Sequence, residues 1–230
     1  MQTDIISGII ITGASKGLGK ALVEAFVEIE NCKIIALSRT SPNIETNANV
    51  LFLPTDLTDA LHLQSAIQRI QLEINASAGR WVIINNFGTY APDSLLQTPF
   101  LDTHLQHNFY PAYQLTQALL PFILQKPYSQ IFNILSIALK DIQADRASYT
   151  LSKSILETYG KLLQKQLEPH SIKVTNVYLG PTNTHSWENV TGIDKNKLLC
   201  AKEVAKVIKN CIYLGHSTYI PDITIVPLNF

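Results

Sequence analysis

Tyr149 and Lys153 stand four residues apart in the stretch Tyr149-Thr150-Leu151-Ser152-Lys153. On a helix that interval puts both side chains on one face, one turn from each other. A phenol with an ordinary pKa of about 10 is a poor acid at neutral pH, and a neighbouring ammonium is expected to lower it by favouring the phenolate. Such a tyrosine can pass a proton to or from a substrate oxygen. Thirteen residues earlier, Ser136 closes the run Ile131-Phe132-Asn133-Ile134-Leu135. The C-terminal end of a parallel strand is where α/β sheets bind ligands, and a hydroxyl there can hydrogen-bond a carbonyl oxygen as negative charge develops on it.

A second constellation follows Ile9-Ile10-Ile11: Thr12-Gly13-Ala14-Ser15-Lys16-Gly17-Leu18-Gly19, with glycines at intervals of four and two. A dinucleotide pyrophosphate needs a tight turn, a close backbone approach and a helix N-terminus aimed at it, and glycine permits all three. Taken alone, the glycines also fit a sharp strand-to-helix turn with no ligand. The end of the next apolar run, Ser38-Arg39-Thr40, carries no carboxylate. An acid there would bind a ribose 2′-hydroxyl, whereas Arg39 can clamp a 2′-phosphate, Ser38 and Thr40 can donate to it, and Lys16 adds a second positive charge. The reading is NADP(H) over NAD(H), with a solvated surface arginine as the alternative for Arg39.

Elements of two kinds must position these residues. Seven short apolar or β-branched runs are legible: Gly8 to Thr12, Lys33 to Ser38, Val50 to Leu53, Trp81 to Asn85, Gln130 to Leu135, Lys173 to Tyr178 and Asp222 to Val226. Segments within them such as Ile9-Ile10-Ile11 and Trp81-Val82-Ile83-Ile84 are apolar on both faces, as strands covered on both sides must be. Between them lie stretches of helical period: Gly17 to Glu30, Asp59 to Glu73, Thr103 to Gln125, Ser148 to Gln166 and Lys202 to Leu214. The alternation predicts an α/β fold, a single doubly wound parallel sheet of Rossmann type with about seven strands and helices on both faces. With no Pro/Gly/Ser-rich linker, low-complexity stretch or repeat, residues 1–230 read as one nucleotide-binding domain.

The TGxxxGxG turn, Ser136 and the Tyr149–Lys153 pair, in this order, resemble the short-chain dehydrogenase/reductase family, from the first strand to about Thr184. The resemblance implies a catalytic tetrad of Asn108, Ser136, Tyr149 and Lys153, in which the asparagine holds a water connecting the lysine to solvent. It implies an adenine contact at Asp56-Leu57, for which a cap on the following helix is the alternative or additional reading. It also implies cofactor contacts at Asn85-Asn86-Phe87-Gly88, where Phe87 replaces the family's usual alanine and crowds the adenosine side. In Leu179-Gly180-Pro181-Thr182-Asn183-Thr184 the glycine and the last threonine stand where the family's Pro-Gly-x-x-x-Thr wants them, but the proline has moved on by two positions. Gly180, Thr182 and Thr184 are carried over as cofactor contacts. The activity implied is NADPH-dependent hydride transfer between the nicotinamide and a carbonyl or alcohol substrate. A non-catalytic NADP(H)-sensing or scaffold protein on the same fold is the competing class.

The remaining sequence narrows the partners. Eighteen basic residues balance eighteen acidic ones, so the electrostatic footprint of a nucleic-acid or anionic-membrane binder is missing. At 46% hydrophobic and 16% charged, the chain is no disordered or solvating polymer. Cys32, Cys200 and Cys211 show no spacing for zinc or a disulfide framework, and no metal site is expected. The start Met1-Gln2-Thr3-Asp4 lacks a basic signal region and no apolar run reaches a membrane span, which gives an expectation of a cytoplasmic protein. A short substrate loop falls near 184–198, with Trp187 as a pocket wall or a packing aromatic, His185 as a rim histidine, and Tyr90 and the residues from Leu139 to Ala144 near the same pocket. His104 and His107, three apart on a helix, have a spacing that could in principle bind zinc, but an exposed helical face explains them more simply. Asp222-Ile223-Thr224-Ile225-Val226-Pro227 reads as an edge strand closed by proline, an ending like that of the small-carbonyl and pteridine reductases. Apolar residues near Asn108 and Tyr149 fit the family's helix-to-helix dimer or a tetramer built on it.

Overall fold

A computed structural model describes residues 5–44, 48–97, 100–126, 128–184, 194 and 197–228. Seven strands form one parallel sheet: β1 (Ile6–Thr12), β2 (Lys33–Ser38), β3 (Val50–Pro54), β4 (Arg80–Asn85), β5 (Gln130–Ser136), β6 (Lys173–Leu179) and β9 (Asp222–Ile225). The spatial order is β3-β2-β1-β4-β5-β6-β9, so the winding reverses between β1 and β4. In such sheets ligands bind at that reversal, beyond the carboxyl ends of the strands.

The all-apolar strands are explained by two cores. Ile9 and Ile11 point into one, against Leu22 and Phe26 of α1 (Gly17–Phe26) and Val204, Ile208 and Ile212 of α6 (Ala201–Ile212). Ile10 points into the other, against Ile70 and Ile74 of α2 (Ala60–Asn75), Leu115 and Leu119 of α4 (Tyr110–Ile123), and Leu163 and Leu167 of α5 (Ala147–Leu167). Alternation on a pleated strand thus serves both faces at once. No helix among the described residues is long and apolar enough to cross a membrane.

A polar row interrupts the second face. Asn85, Asn133 and Asn176 lie opposite one another on β4, β5 and β6. Asn85 Nδ2 donates to Asn133 Oδ1 at 2.9 Å and to Thr116 Oγ1 at 3.1 Å, and Asn133 Nδ2 donates to Asn176 Oδ1 at 3.2 Å. Gly160 of α5 lies directly over this row, where a Cβ would overlap Asn176 Oδ1.

The structure corrects several boundaries. The helix expected over Thr103 to Gln125 is two, α3 (Leu101–Asn108) and α4, broken at Phe109 with φ −122° and ψ −59°. Pro111 explains the break, because it has no N–H to offer the His107 carbonyl one turn back. Asn108 therefore ends a short helix and does not sit inside a long one. The helix expected to reach Glu30 stops at Phe26, where Ile29 N–H turns back to the Phe26 carbonyl. Two short strands that the runs did not announce, β7 (Thr182–Asn183) and β8 (Leu199–Cys200), pair in parallel outside the main sheet.

Candidate active site

The glycine turn links β1 to α1 at the reversal. Gly13 and Gly17 have φ of 68° and 56°, the left-handed region that side chains resist. The N–H groups of Gly13 and Ala14 both donate to the Leu37 carbonyl, at 2.8 and 3.2 Å, which ties the turn to β2. From the other side, Asn86 Nδ2 donates to the Thr12 and Gly13 carbonyls at 2.9 and 3.3 Å, and the Asn86 and Phe87 N–H groups both reach Thr12 Oγ1 at 3.0 Å. A Cβ on Gly19 would overlap the Gly13 carbonyl oxygen.

Ser15 is half-buried, Lys16 exposed, and Leu18 sends its side chain into the core. Lys16 precedes α1 without a side-chain cap, and the helix has no acid in its first turn. The amides of that turn and the positive end of the helix dipole are thus left to an external anion. This cradle fits a dinucleotide pyrophosphate.

Beyond β2 and β3, Arg39 and Thr40 are exposed, while the Ser38 hydroxyl is engaged, donating to the Thr40 carbonyl at 2.8 Å. Hydrogen bonds from the hydroxyl and amide of Thr58 hold the Asp56 carboxyl below its usual range, and Arg39 adds to the effect. Asp56 does not cap α2. Asp59 does, accepting from Leu61 and His62 N–H at 2.9 Å each. Leu57 is core, and the half-buried Phe87 packs its ring on that core, 5.9 Å from the His107 ring. The Asn85 side chain belongs to the polar row, so of Asn85-Asn86-Phe87-Gly88 it is Asn86 that braces the turn.

At the carboxyl end of β5, Ser136 faces Tyr149, which lies in the first turn of α5 and hydrogen-bonds it. Lys153, one turn on, is buried and donates from Nζ to the Ile134 carbonyl at 2.8 Å. Gly88 fills the gap to Asn108, since a Cβ there would lie 2.6 Å from Asn108 Oδ1 and 3.3 Å from Lys153 Nζ. All four expected tetrad residues thus converge at one edge of the sheet, beside the glycine turn.

The electrostatics reverse one expectation. Burial pushes the Tyr149 hydroxyl above its usual pKa, and Tyr90 pushes the same way, against smaller opposing effects from Ser136 and Arg146. Burial brings the Lys153 ammonium itself down to about 8. Desolvation disfavours charge on both groups, and outweighs the attraction that spacing alone suggested.

Sequence reasoning missed three residues. His104 is not on an exposed face: it is 1% exposed, with its ring 5.9 Å from that of Tyr149. Asp93 Oδ2 accepts from Phe100 N–H at 2.9 Å and Oδ1 from Ser148 N–H at 3.0 Å, joining the starts of α3 and α5. Ser152 Oγ accepts from Asn108 Nδ2 at 3.0 Å. For His104 the signal was spacing, because it precedes Asn108 by the same four residues that separate Tyr149 from Lys153. Tyr90, named from sequence, meets Tyr149 edge-on at 5.2 Å. Gly180 N–H donates to the Ile225 carbonyl at 2.8 Å, Thr182 Oγ1 donates to the Gly180 carbonyl at 3.0 Å, and the side chain of Thr184 packs against Gly17. His185, Trp187 and most of the stretch 184–198 lie outside the described residues.

Comparison with known proteins places this geometry in a family. The short chain dehydrogenase profile matches residues 7–193. The probable short-chain type dehydrogenase/reductase VdlC of Helicobacter pylori is 31% identical over 184 residues, 78% of this chain and 66% of that protein. A dehydrogenase/reductase SDR family protein 7-like of Anopheles gambiae is 28% identical over 76% of this chain and 59% of its own. The chain therefore spans less than two thirds of these two relatives. An uncharacterized oxidoreductase of Staphylococcus aureus is 23% identical over 95% of this chain and 96% of its own. Among solved structures, NADPH-bound carbonyl reductase from chicken fatty liver superposes with a TM-score of 0.80 at 18% identity, covering 95% of this chain and 96% of its own. An alcohol dehydrogenase from Thermococcus sibiricus complexed with 5-hydroxy-NADP reaches 0.84 at 16% identity, over 97% of each chain. On the profile match, which spans most of the sequence, this chain belongs to the short-chain dehydrogenase family.

Proposed function

We propose that the protein is an NADPH-dependent oxidoreductase acting on a carbonyl or alcohol group. The observation that carries this reading is the convergence of Ser136, Tyr149, Lys153 and Asn108 beside an anion-binding glycine turn. Gly13, Ser15, Gly17, Leu18 and Gly19 would hold the pyrophosphate through backbone groups, and Gly180, Thr182 and Thr184 would border the nicotinamide end. Lys16, Arg39 and Thr40 would receive the 2′-phosphate. When bound, the nicotinamide supplies or takes up the hydride.

The chain's own groups handle the proton. In reduction, Tyr149 donates its hydroxyl proton to the substrate oxygen, and its raised pKa keeps that proton in place until the oxygen becomes basic. Ser136 holds the same oxygen by a hydrogen bond that strengthens as charge builds. Lys153, near 8, can lose and regain a proton close to neutrality and so reload Tyr149. Asn108 stands between Lys153 and the loop after β4. The carbonyl reductase and alcohol dehydrogenase neighbours, one NADPH-bound and the other complexed with 5-hydroxy-NADP, support the substrate and cofactor class.

Titration with NADPH and NADH, read by nicotinamide fluorescence, tests the cofactor, with much tighter NADPH binding expected. Screening ketones, diketones and pterins for NADPH consumption then tests the reaction. Tyr149→Phe should abolish turnover while leaving NADPH binding intact. A wild-type protein that binds NADPH and consumes none with any probe would instead favour a cofactor sensor.

A further inference from the structure

His104 is a buried imidazole that the proposed proton chemistry leaves unused. Its Nε2 lies 3.2 Å from the Ala91 carbonyl, which can only accept, so Nε2 carries the hydrogen. In the neutral ring Nδ1 is then a lone pair, and it faces Asn108 Nδ2 at 3.2 Å. The second amide hydrogen of Asn108 goes to Ser152 Oγ at 3.0 Å, and the Ser152 hydroxyl in turn donates to the Tyr149 carbonyl at 2.8 Å. Asn108 Oδ1 accepts the Thr89 N–H at 2.8 Å. Both amide hydrogens and one lone pair of the amide oxygen are thus engaged. The reverse orientation would set Oδ1 against the Nδ1 lone pair and the amino group against the Thr89 N–H, two repulsive contacts in a buried place.

We infer that His104 is a positioning residue which, through its neutral Nε2–H form, fixes the Asn108 amide with Oδ1 turned toward Gly88 and Lys153. Protonation of His104 makes Nδ1 a donor, which cannot accept from Asn108 and releases the amide. The groups around the ring define what this protonation meets. Asp93, from the segment after β4, attracts the cation. Tyr149 of α5 and Tyr90 border the pocket with aromatic surface, and Lys153 stands across Asn108. On its own helix, Asp102 is exposed and His107 turns to Phe87. Protonation of His104 is therefore expected to unlock Asn108. The catalytic consequence rests on the proposed role of Asn108, but the geometry can be tested without it.

The test is a long-range proton–nitrogen NMR correlation on the full chain labelled with ¹⁵N in histidine and asparagine, with Asn108→Ala assigning the amide. The expected result is a single Nε2–H tautomer of His104 near neutral pH, and an Asn108 amide signal that shifts on acidification with the His104 midpoint. An Nδ1–H tautomer, or an Asn108 signal indifferent to the state of His104, overturns the inference, and neither measurement requires a mutant at 104 to fold. In turnover of whichever diketone probe the wild type reduces, His104→Phe should lower kcat about tenfold at constant KM for NADPH. His104→Gln, which keeps an acceptor and a donor, should restore it. Equal kcat losses in both variants would reduce His104 to packing. Correct NMR behaviour with no probe reduced by the wild type would sustain the positioning role and count against the enzyme reading alone.

Discussion

Lys153 carries a charge into the interior, and its hydrogen bond to the Ile134 carbonyl balances only part of the loss of water. Its pKa in the fold, about 8, lies below the ordinary 10.5, so the unfolded chain binds more protons between those values and stability must rise as pH climbs through that window. Lys153→Met should accordingly stabilise the protein at pH 7 by roughly 2–3 kcal/mol while abolishing any activity. The advantage should shrink as pH rises from about 8 to 10.5, which urea unfolding at pH 7 and 9.5 would read. An unchanged gap would mean that the ammonium is not desolvated as described. The pairing of Tyr149 with Lys153 was legible because a four-residue interval survives unaltered in a helix. The sign of the tyrosine shift was not, because it depends on what other elements lay over the ring. His104 was misread for the same reason: its helix shows polar neighbours at 102, 103, 106 and 107, and only the fold reveals that its face is covered.

At the scale of elements, Asp93 joins the two helices that bring the site together. Its carboxylate receives one amide at the start of α3 and one in the first turn of α5, while its backbone pairs with Asp145 and Ala147. Burial alone would raise its pKa, but hydrogen bonds from Ser148 and Phe100, with the attraction of His104, leave it below the usual value. That stabilisation is complete above the ordinary carboxylate pKa of about 3.9 and is lost as pH falls through the lowered one. Asp93→Ala should cost about 1–3 kcal/mol at pH 7, roughly one to two lost helix caps. The cost should fade in unfolding measurements carried toward pH 3. The central strands were readable because burial on both faces leaves them long apolar runs, such as Ile9-Ile10-Ile11 and Trp81-Val82-Ile83-Ile84, that the few inward polar residues do not mask. The break at Phe109 was also written, in Pro111, but the helical period on either side of it hid the interruption. β7 and β8 gave no pattern, being two residues each.

At the scale of the whole molecule, an apolar stripe among the described residues remains in contact with water. Leu151, Ile155, Tyr159 and Leu162 follow one another along α5, and Tyr113 of α4 packs edge-on to Tyr159 at 5.4 Å. Leu151, Ile155, Leu162 and Tyr113 are each at least 40% exposed. A contiguous patch of this kind calls for a cover, and we propose a second copy of the chain. Light scattering behind size exclusion should give a dimer, and Ile155→Asp with Leu162→Asp should give a folded monomer. A monomeric wild type would reject this.

The asparagine row has a mechanical corollary. Gly160 rests on Asn133 and Asn176 without an intervening side chain, so α5 is seated on the sheet at that point like a beam on its fulcrum. Tyr149 stands eleven residues away on the same beam, about 16 Å along the axis. A single methyl added at position 160 would lift the beam at its support and swing its far end. If Tyr149 works as proposed, the accuracy with which its phenol meets a substrate oxygen is thus set in part by a contact far from that oxygen.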